Sequence, residues 1–239
     1  MNTSMLKNLL VGTGLIAASI GAISLPAEAG TIRSPISATA TSEFSSVYSI
    51  NNTINQSGLN LPFVSGVTDF DSYLAQNPTH SFVAAGLEWF TQNGVKSATL
   101  DYDLGSVFNV DRLALWNEET SGIGVFNVLT STDGVSYVLR AAGLLPPDNP
   151  LANYGATVFG LQTAAARFVR LEVSGCPQPN PGGFNGCGMG EIAFSTNSTN
   201  STNIPTPALL PGLIGMGIAA FRKRRQGQSE LEVADAVEV

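Results

Sequence analysis

The side chains that usually drive catalysis are scarce in this chain. There is one histidine, His80, and no G-x-S-x-G elbow, and the two cysteines, Cys176 and Cys187, bracket the ten residues P-Q-P-N-P-G-G-F-N-G. The usual nucleophile and base arrangements are therefore missing, and the chain reads as a protein that catalyses nothing. Asp101 and Asp103 come nearest to a glycosidase carboxylate pair. Two apart on a strand, however, they share one face with the apolar Leu100 and Leu104 opposite, so they read as a solvated face. In an oxidising compartment Cys176 and Cys187 read as a disulfide worth roughly 2–3 kcal/mol; two thiols without a nearby histidine fall short of a zinc set. What remains is recognition. Binding a sugar asks for an exposed aromatic plate beside convergent polar groups. Phe184, at the tip of the Gly-rich loop between the cysteines, is expected to have little to bury against and is the first candidate. Asn180, Asn185, Tyr73 and Trp89 come second. The stretch V-T-D-F-D-S-Y sets Asp69 and Asp71 two residues apart, either as hard oxygens of the kind calcium takes or as carboxylates that solvate a turn.

These residues need a scaffold, and the pattern from Ala98 to Phe194 is of short strands with turn signals between them and almost no helical period. Ala98–Leu104 alternates and ends at Gly105. Val169–Val173 alternates strictly, which puts Val169, Leu171 and Val173 toward a core and Arg170 and Glu172 toward water. Val125–Leu129 and Val135–Arg140 flank Asp133-Gly134, a hairpin signal. Val110–Trp116, Ala156–Leu161 and Gly190–Phe194 bring the number to about seven. Regular short strands with Gly, Pro and Asp punctuation predict an all-β sandwich or barrel.

The order of these pieces resembles the discoidin-type domain, also called the coagulation-factor type C domain, a galactose-binding-like jelly roll. The resemblance rests on Leu87-Glu88-Trp89-Phe90, on Val110 to Asn117, on F-N-V-L-T-S-T-D-G-V-S-Y from Phe126 to Tyr137, on A-R-F-V-R-L from Ala166 to Leu171, and on Glu191-Ile-Ala-Phe194. It implies a jelly-roll sandwich whose loops at one end bind glycans or phospholipid head groups. It also implies a structural calcium held by Asp69, Asp71 and Glu191, with Asn77 and Thr79 as early-loop partners; otherwise Asp69 and Asp71 solvate a turn and Glu191 pairs with an arginine. Trp89 matches the family's buried tryptophan, and Trp116 and Phe126 read as core with it. The cysteines depart from the family: many members tie their termini together, whereas here both thiols lie in one late loop.

The two ends are apolar and read as addresses. Leu9 to Leu25 follows Lys7 and precedes Pro26-Ala27-Glu28-Ala29, which is a signal peptide (residues 1–29) with cleavage after Ala29, or else an uncleaved anchor; either way export begins at Gly30. From Ser195 to Asn203 the repeat S-T-N-S-T-N-S-T-N is too polar to pack and, with residues up to 207, reads as a flexible linker. Residues 208–225 follow: an apolar run from Ala208 to Phe221, fourteen residues and so roughly 21 Å as a helix against a hydrocarbon core of roughly 30 Å, then Arg222, Lys223, Arg224 and Arg225. The cations stay cytoplasmic and leave the domain outside. Together with Pro205-Thr206-Pro207 this resembles the PEP-CTERM sorting signal, which implies an exosortase-type enzyme as partner and a membrane segment inserted transiently or stably. Pro-Thr-Pro stands where that family has Pro-Glu-Pro, and an acidic tail (226–239) follows where many members stop. The exported part, residues 30–207, has six basic and thirteen acidic residues, a formal charge of −7. It should repel phosphate backbones, so nucleic acid is excluded as a partner. The expected protein is a surface-sorted β-sandwich, in one of two roles: attaching to extracellular polysaccharide, or serving as an adhesive matrix protein that binds other proteins.

Overall fold

The computed structural model describes residues 30–179 and 183–198. The signal peptide, Asn180, most of the linker, the sorting segment and the acidic tail lie outside the described residues. Among the described residues ten strands occur: β1 Thr31–Arg33, β2 Ser37–Ala40, β3 Thr79–His80, β4 Trp89–Phe90, β5 Ala98–Asn117, β6 Val125–Ser131, β7 Val138–Leu144, β8 Tyr154–Gly155, β9 Thr157–Ser174 and β10 Gly188–Ser198, with a short helix α1 at Phe70–Leu74. The neighbours run β1-β10-β5-β9-β6-β7, with β2 beside β5 and β4 beside β10.

Alternation acts in β5 as its period dictates: Leu100, Tyr102 and Leu104 are buried. Asp101 and Asp103 lie on the other face and are held in two-pronged ion pairs by Arg170 and Arg167 of β9. The solvated-face reading is therefore only half right, because each carboxylate has a guanidinium beside it. Ala98–Leu104 and Val110–Trp116 are not two strands but one. The sequence breaks the alternation at Gly105, whose φ of +83° is a left-handed conformation that glycine adopts without strain. The pairing of β5 with β9 skips there between Asp103 and Phe108. The expected strands Ala156–Leu161 and Val169–Val173 are likewise joined, in β9, which starts at Thr157. Two long strands thus pass from one layer to the other, and Tyr102 of the first layer meets Phe194 of the second edge to face at 6.1 Å.

The second layer is covered on both faces. Leu113 and Leu115 join the inter-layer core, whereas Ala114, Trp116 and Ala193 pack outward against Ile32, Phe63, Phe70 and Tyr73. That is why L-A-L-W reads as a continuous apolar run and not as an alternating one. Trp89, Trp116 and Phe126 are buried as expected. The last strand runs four residues past the expected end at Phe194. Thr196 pairs with Thr31 and Ser198 with Phe108, and Ser195 and Thr196 are buried. Ser195–Ser198 therefore belong to the sheet and not to the expected linker; β1 and β5 supply the backbone partners that make so polar a stretch a strand. The hairpin at Asp133-Gly134 is present, but its second strand starts at Val138 and Val135 is exposed, because Ser131 and Asp133 spend their side chains capping a wider turn. Among the described residues no helix is long and apolar enough to cross a membrane.

Candidate functional site

Cys176 and Cys187 are bonded to each other, so the loop that carries Phe184 is closed at its base. Its C-terminal side is tied down by backbone contacts with the segment after β4: Thr91 N–H donates to Cys187 O, Cys187 N–H to Thr91 Oγ1, and Gly94 N–H to Asn185 O. Gly186 lets the chain approach this closely, since a Cβ there would stand 2.6 Å from the Phe184 ring and 2.7 Å from Thr91 Oγ1. Phe184 is therefore not a bare tip. It is half-buried, with its ring edge to face against Phe44 at 5.3 Å and Phe90 at 5.1 Å, and Phe90 in turn meets Tyr48 at 5.3 Å. These four rings, with Val83 and Thr120, line an open cleft of about 250 Å³. The sequence singled out Phe184 as a ring with little to bury against; it instead packs against Phe44 and Phe90, and sequence reading missed these two and Tyr48. Phe44 and Tyr48, four apart in F-S-S-V-Y ahead of a 3₁₀ turn, were the available signal.

The other residues singled out are dispersed. Asn185 is exposed beside Phe184. Tyr73 is buried in the outer core, where its hydroxyl donates to Leu61 O at 2.6 Å, so it presents no face to a ligand. Asp69 caps α1 by accepting from Ser72 N–H, which holds its carboxyl below the usual range. Asp71 is ion-paired with Arg112. Glu191 is fully buried and accepts from Gln56 N–H at 2.8 Å; burial pushes its pKa well up. Asn77 closes the turn after α1 with a positive φ, and Thr79 pairs with Gly155. Asp69, Asp71 and Glu191 are thus engaged separately, and among the described residues no three His, Cys, Asp or Glu side chains are grouped as a metal ion needs. The calcium set does not fit this arrangement.

Behind the cleft lies a feature the sequence did not announce. Glu88, Glu118 and Glu119 are at most 1% exposed. Glu118 accepts from Thr120 N–H and Oγ1 and from Ser121 N–H; Glu119 accepts from Val83 N–H at 2.8 Å and Glu88 from Ala84 N–H at 3.1 Å. Ser121 Oγ reaches on to Phe184 O at 2.8 Å. Burial pushes Glu88 up to about 8 and Glu118 up to about 7, and raises Glu119 as well.

The disulfide should matter for both stability and shape. Cys176→Ser with Cys187→Ser is expected to cost roughly 2–3 kcal/mol in urea unfolding, on loop-closure entropy, and to release Phe184 from Phe44 and Phe90. An unchanged unfolding midpoint would show that the loop is held by its hydrogen bonds alone.

No family model matches the sequence, and no curated protein matches it. Solved structures that it resembles, with TM-scores of 0.42–0.46, include carbohydrate-binding modules and a putative alpha-L-fucosidase from Bacteroides thetaiotaomicron. Chitosan-binding module 1 from the chitosanase/glucanase of Paenibacillus sp. IK-5 is 16% identical with a TM-score of 0.44, the match covering 68% of this chain and 95% of that one. CpGH89CBM32-5 of Clostridium perfringens, in complex with GalNAc-β-1,3-galactose, is 14% identical (TM-score 0.45; 66% and 94% covered). CBM32-3 from a family 31 glycoside hydrolase of the same organism is 14% identical (TM-score 0.46; 70% and 92%).

Proposed function

We propose that this chain is an exported, surface-sorted module that attaches to extracellular polysaccharide through the Phe44/Tyr48/Phe90/Phe184 cleft and carries out no reaction. The observation that carries the reading is the cleft itself: four aromatic rings on a disulfide-closed loop and its neighbours, open to solvent. Pyranose rings present flat C–H faces that stack on such rings, while Tyr48, Thr120 and the exposed Asn185 offer polar partners at or near the rim. The placement suits a tethered module. β10 starts beside the Phe184 loop and is eleven residues long, so at about 3.3 Å per residue the cleft stands roughly 33 Å from the chain's exit at Ser198. A non-catalytic role is supported by His80, which is fully buried with both ring nitrogens against backbone carbonyls, and by Asp101 and Asp103, which are locked to arginines. Export by the N-terminal segment, and processing at Pro205-Thr206-Pro207 by an exosortase-type enzyme before the Arg222–Arg225 cluster, belong to the same proposal. They rest on sequence, and the mass of the protein recovered from the cell surface tests them.

The excess of carboxylates favours neutral or cationic polysaccharides over acidic ones. In affinity electrophoresis through gels holding chitosan, a neutral galactan or pectin, the wild type should be retarded by at least one of the first two and least by pectin. Phe184→Ala should remove the retardation while the protein still unfolds cooperatively, with a thermal midpoint lowered by about 5 °C for the loss of a half-buried ring. If no gel retards the protein, or the variant is retarded equally, the cleft is not a sugar site and the adhesive, protein-binding role takes its place.

A further inference from the structure

The groups around the buried acids carry too little positive charge to neutralise them. Glu88, Glu118 and Glu119 come from the approach to β4 and from the β5–β6 connection; Tyr154 of β8 lies near all three and near Glu191 of β10, and His80 of β3 stands beside Glu88; all six are at most 3% exposed. His80 is the one group among these that can carry a positive charge, with Nδ1 3.7 Å from Glu88 Oε1. The described arginines are placed elsewhere: Arg33 over Phe108, Arg112 with Asp71, Arg140 on Thr130, Arg167 and Arg170 with Asp103 and Asp101. Lys96 is exposed. Among the described residues Glu88 Oε1, Glu119 Oε2, Glu191 Oε1 and the Tyr154 hydroxyl have no hydrogen-bond partner. Adjacent buried carboxyls that share one possible counter-charge, His80, are too costly to keep all ionised in such a place. The alternative of a bound cation needs three converging ligands, which the described residues do not provide.

We propose that Glu88, Glu118 and Glu119 form a proton-held latch that keeps the walls of the aromatic cleft in place, so that loss of their protons opens the cleft. The mechanical link is short. Val83 and Thr120, which line the cleft, hang by their amides from Glu119 and Glu118, and Ser121 connects Glu118 to the backbone of Phe184. When the protons leave, adjacent carboxylates repel in a setting that screens them poorly, and the loops carrying Val83, Thr120 and Ser121 are the parts free to move apart. Burial raises the acids so that this happens near and above neutrality, not in acid. The consequence for glycan attachment, release as pH rises, rests on the proposed function above; the latch does not.

Amide hydrogen exchange tests the latch without any ligand. With rates corrected for intrinsic pH dependence, segments 82–90 and 118–124 should lose protection by about tenfold or more between about pH 5.5 and about pH 8.5, while β6 and the second half of β9 keep theirs. Glu118→Gln, or Glu119→Gln should the first fail to fold, replaces a carboxyl by a neutral group of the same shape and should retain protection at the higher pH. Three results would overturn the latch: protection that does not depend on pH, protection lost equally across the domain, or recovery at about pH 8.5 on adding millimolar calcium or manganese, which would make the cluster a metal site. If the latch behaves as described and no glycan is retained at any pH, the latch stands and the sugar reading falls.

Discussion

Trp89→Ala should lower stability by about 4 kcal/mol, seen as a fall in the urea midpoint at constant slope. The indole is fully buried in the inter-layer core, and large-to-small changes of this kind cost about 3–5 kcal/mol through lost transfer energy and the cavity left behind. Its Nε1–H donates to Ser42 O at 3.0 Å, so the substitution also removes that carbonyl's partner. The damage would reach the site. β4 is two residues long and is held to β10 by Trp89 opposite Met189 and Phe90 opposite Gly188. Losing the first weakens the hold on the second, which is a wall of the cleft. Val135→Ala, at a position 83% exposed, is the control and should stay within about 0.5 kcal/mol of wild type. Equal effects at the two positions would mean that the core is not where the packing places it.

Stability should peak near pH 5 and fall on the alkaline side, with the thermal midpoint about 10 °C lower at about pH 8.5, equivalent to roughly 3–5 kcal/mol for a domain of this size. The sign follows from proton counts. Glu88, Glu118, Glu119 and Glu191 have raised pKa values in the folded state, through burial first. Above the ordinary glutamate value, 4.5, the unfolded chain gives up protons that the folded one keeps. The stability these groups contribute is therefore whole below 4.5 and is lost as pH climbs through about 7 for Glu118 and about 8 for Glu88. On the acid side Asp69, Asp103 and Asp133 are lowered, the last to about 2 by amide hydrogen bonds from Ser136 and Val135. Their contribution is present above 3.8 and is lost as pH falls toward 2. His80, lowered by burial, costs stability below 6.5 and opposes the carboxyls over part of the range, as one group against four. A midpoint that rises between about pH 5 and about pH 8.5 would show that the buried acids are ionised in the folded protein and have found a counter-charge.

Much of the scaffold was legible in the sequence because its signals are local. The period of two in Ala98–Leu104 and Val169–Val173 fixes which side chains are buried, and the breaks at Gly105 and Asp133-Gly134 mark where pairing changes. The cysteine pair marked the disulfide that closes the loop carrying Phe184. Other features were misread for reasons that are not local. Tyr73 looked like a free aromatic until Phe63, Phe70 and Trp116 closed over it. The S-T-N repeat looked too polar for a strand until β1 and β5 offered it partners up to Ser198. Asp69 and Asp71 could be read as a ligand pair or as carboxylates of a turn; Asp69 caps a helix, and Asp71 pairs with an arginine 41 residues away.

The cleft and the acids behind it were decided by tertiary structure alone. Phe44 and Phe184 are separated by most of the domain, and no pattern in either segment refers to the other. Glutamates in L-E-W-F and W-N-E-E-T read as solvated by default, because burying a carboxyl is unfavourable and sequence carries no sign of who will neutralise it. Alternation and turn chemistry are properties of neighbouring residues and are fixed before the chain folds. A ring's partners, and the water left around a carboxyl, exist only once strands far apart in sequence have been laid side by side.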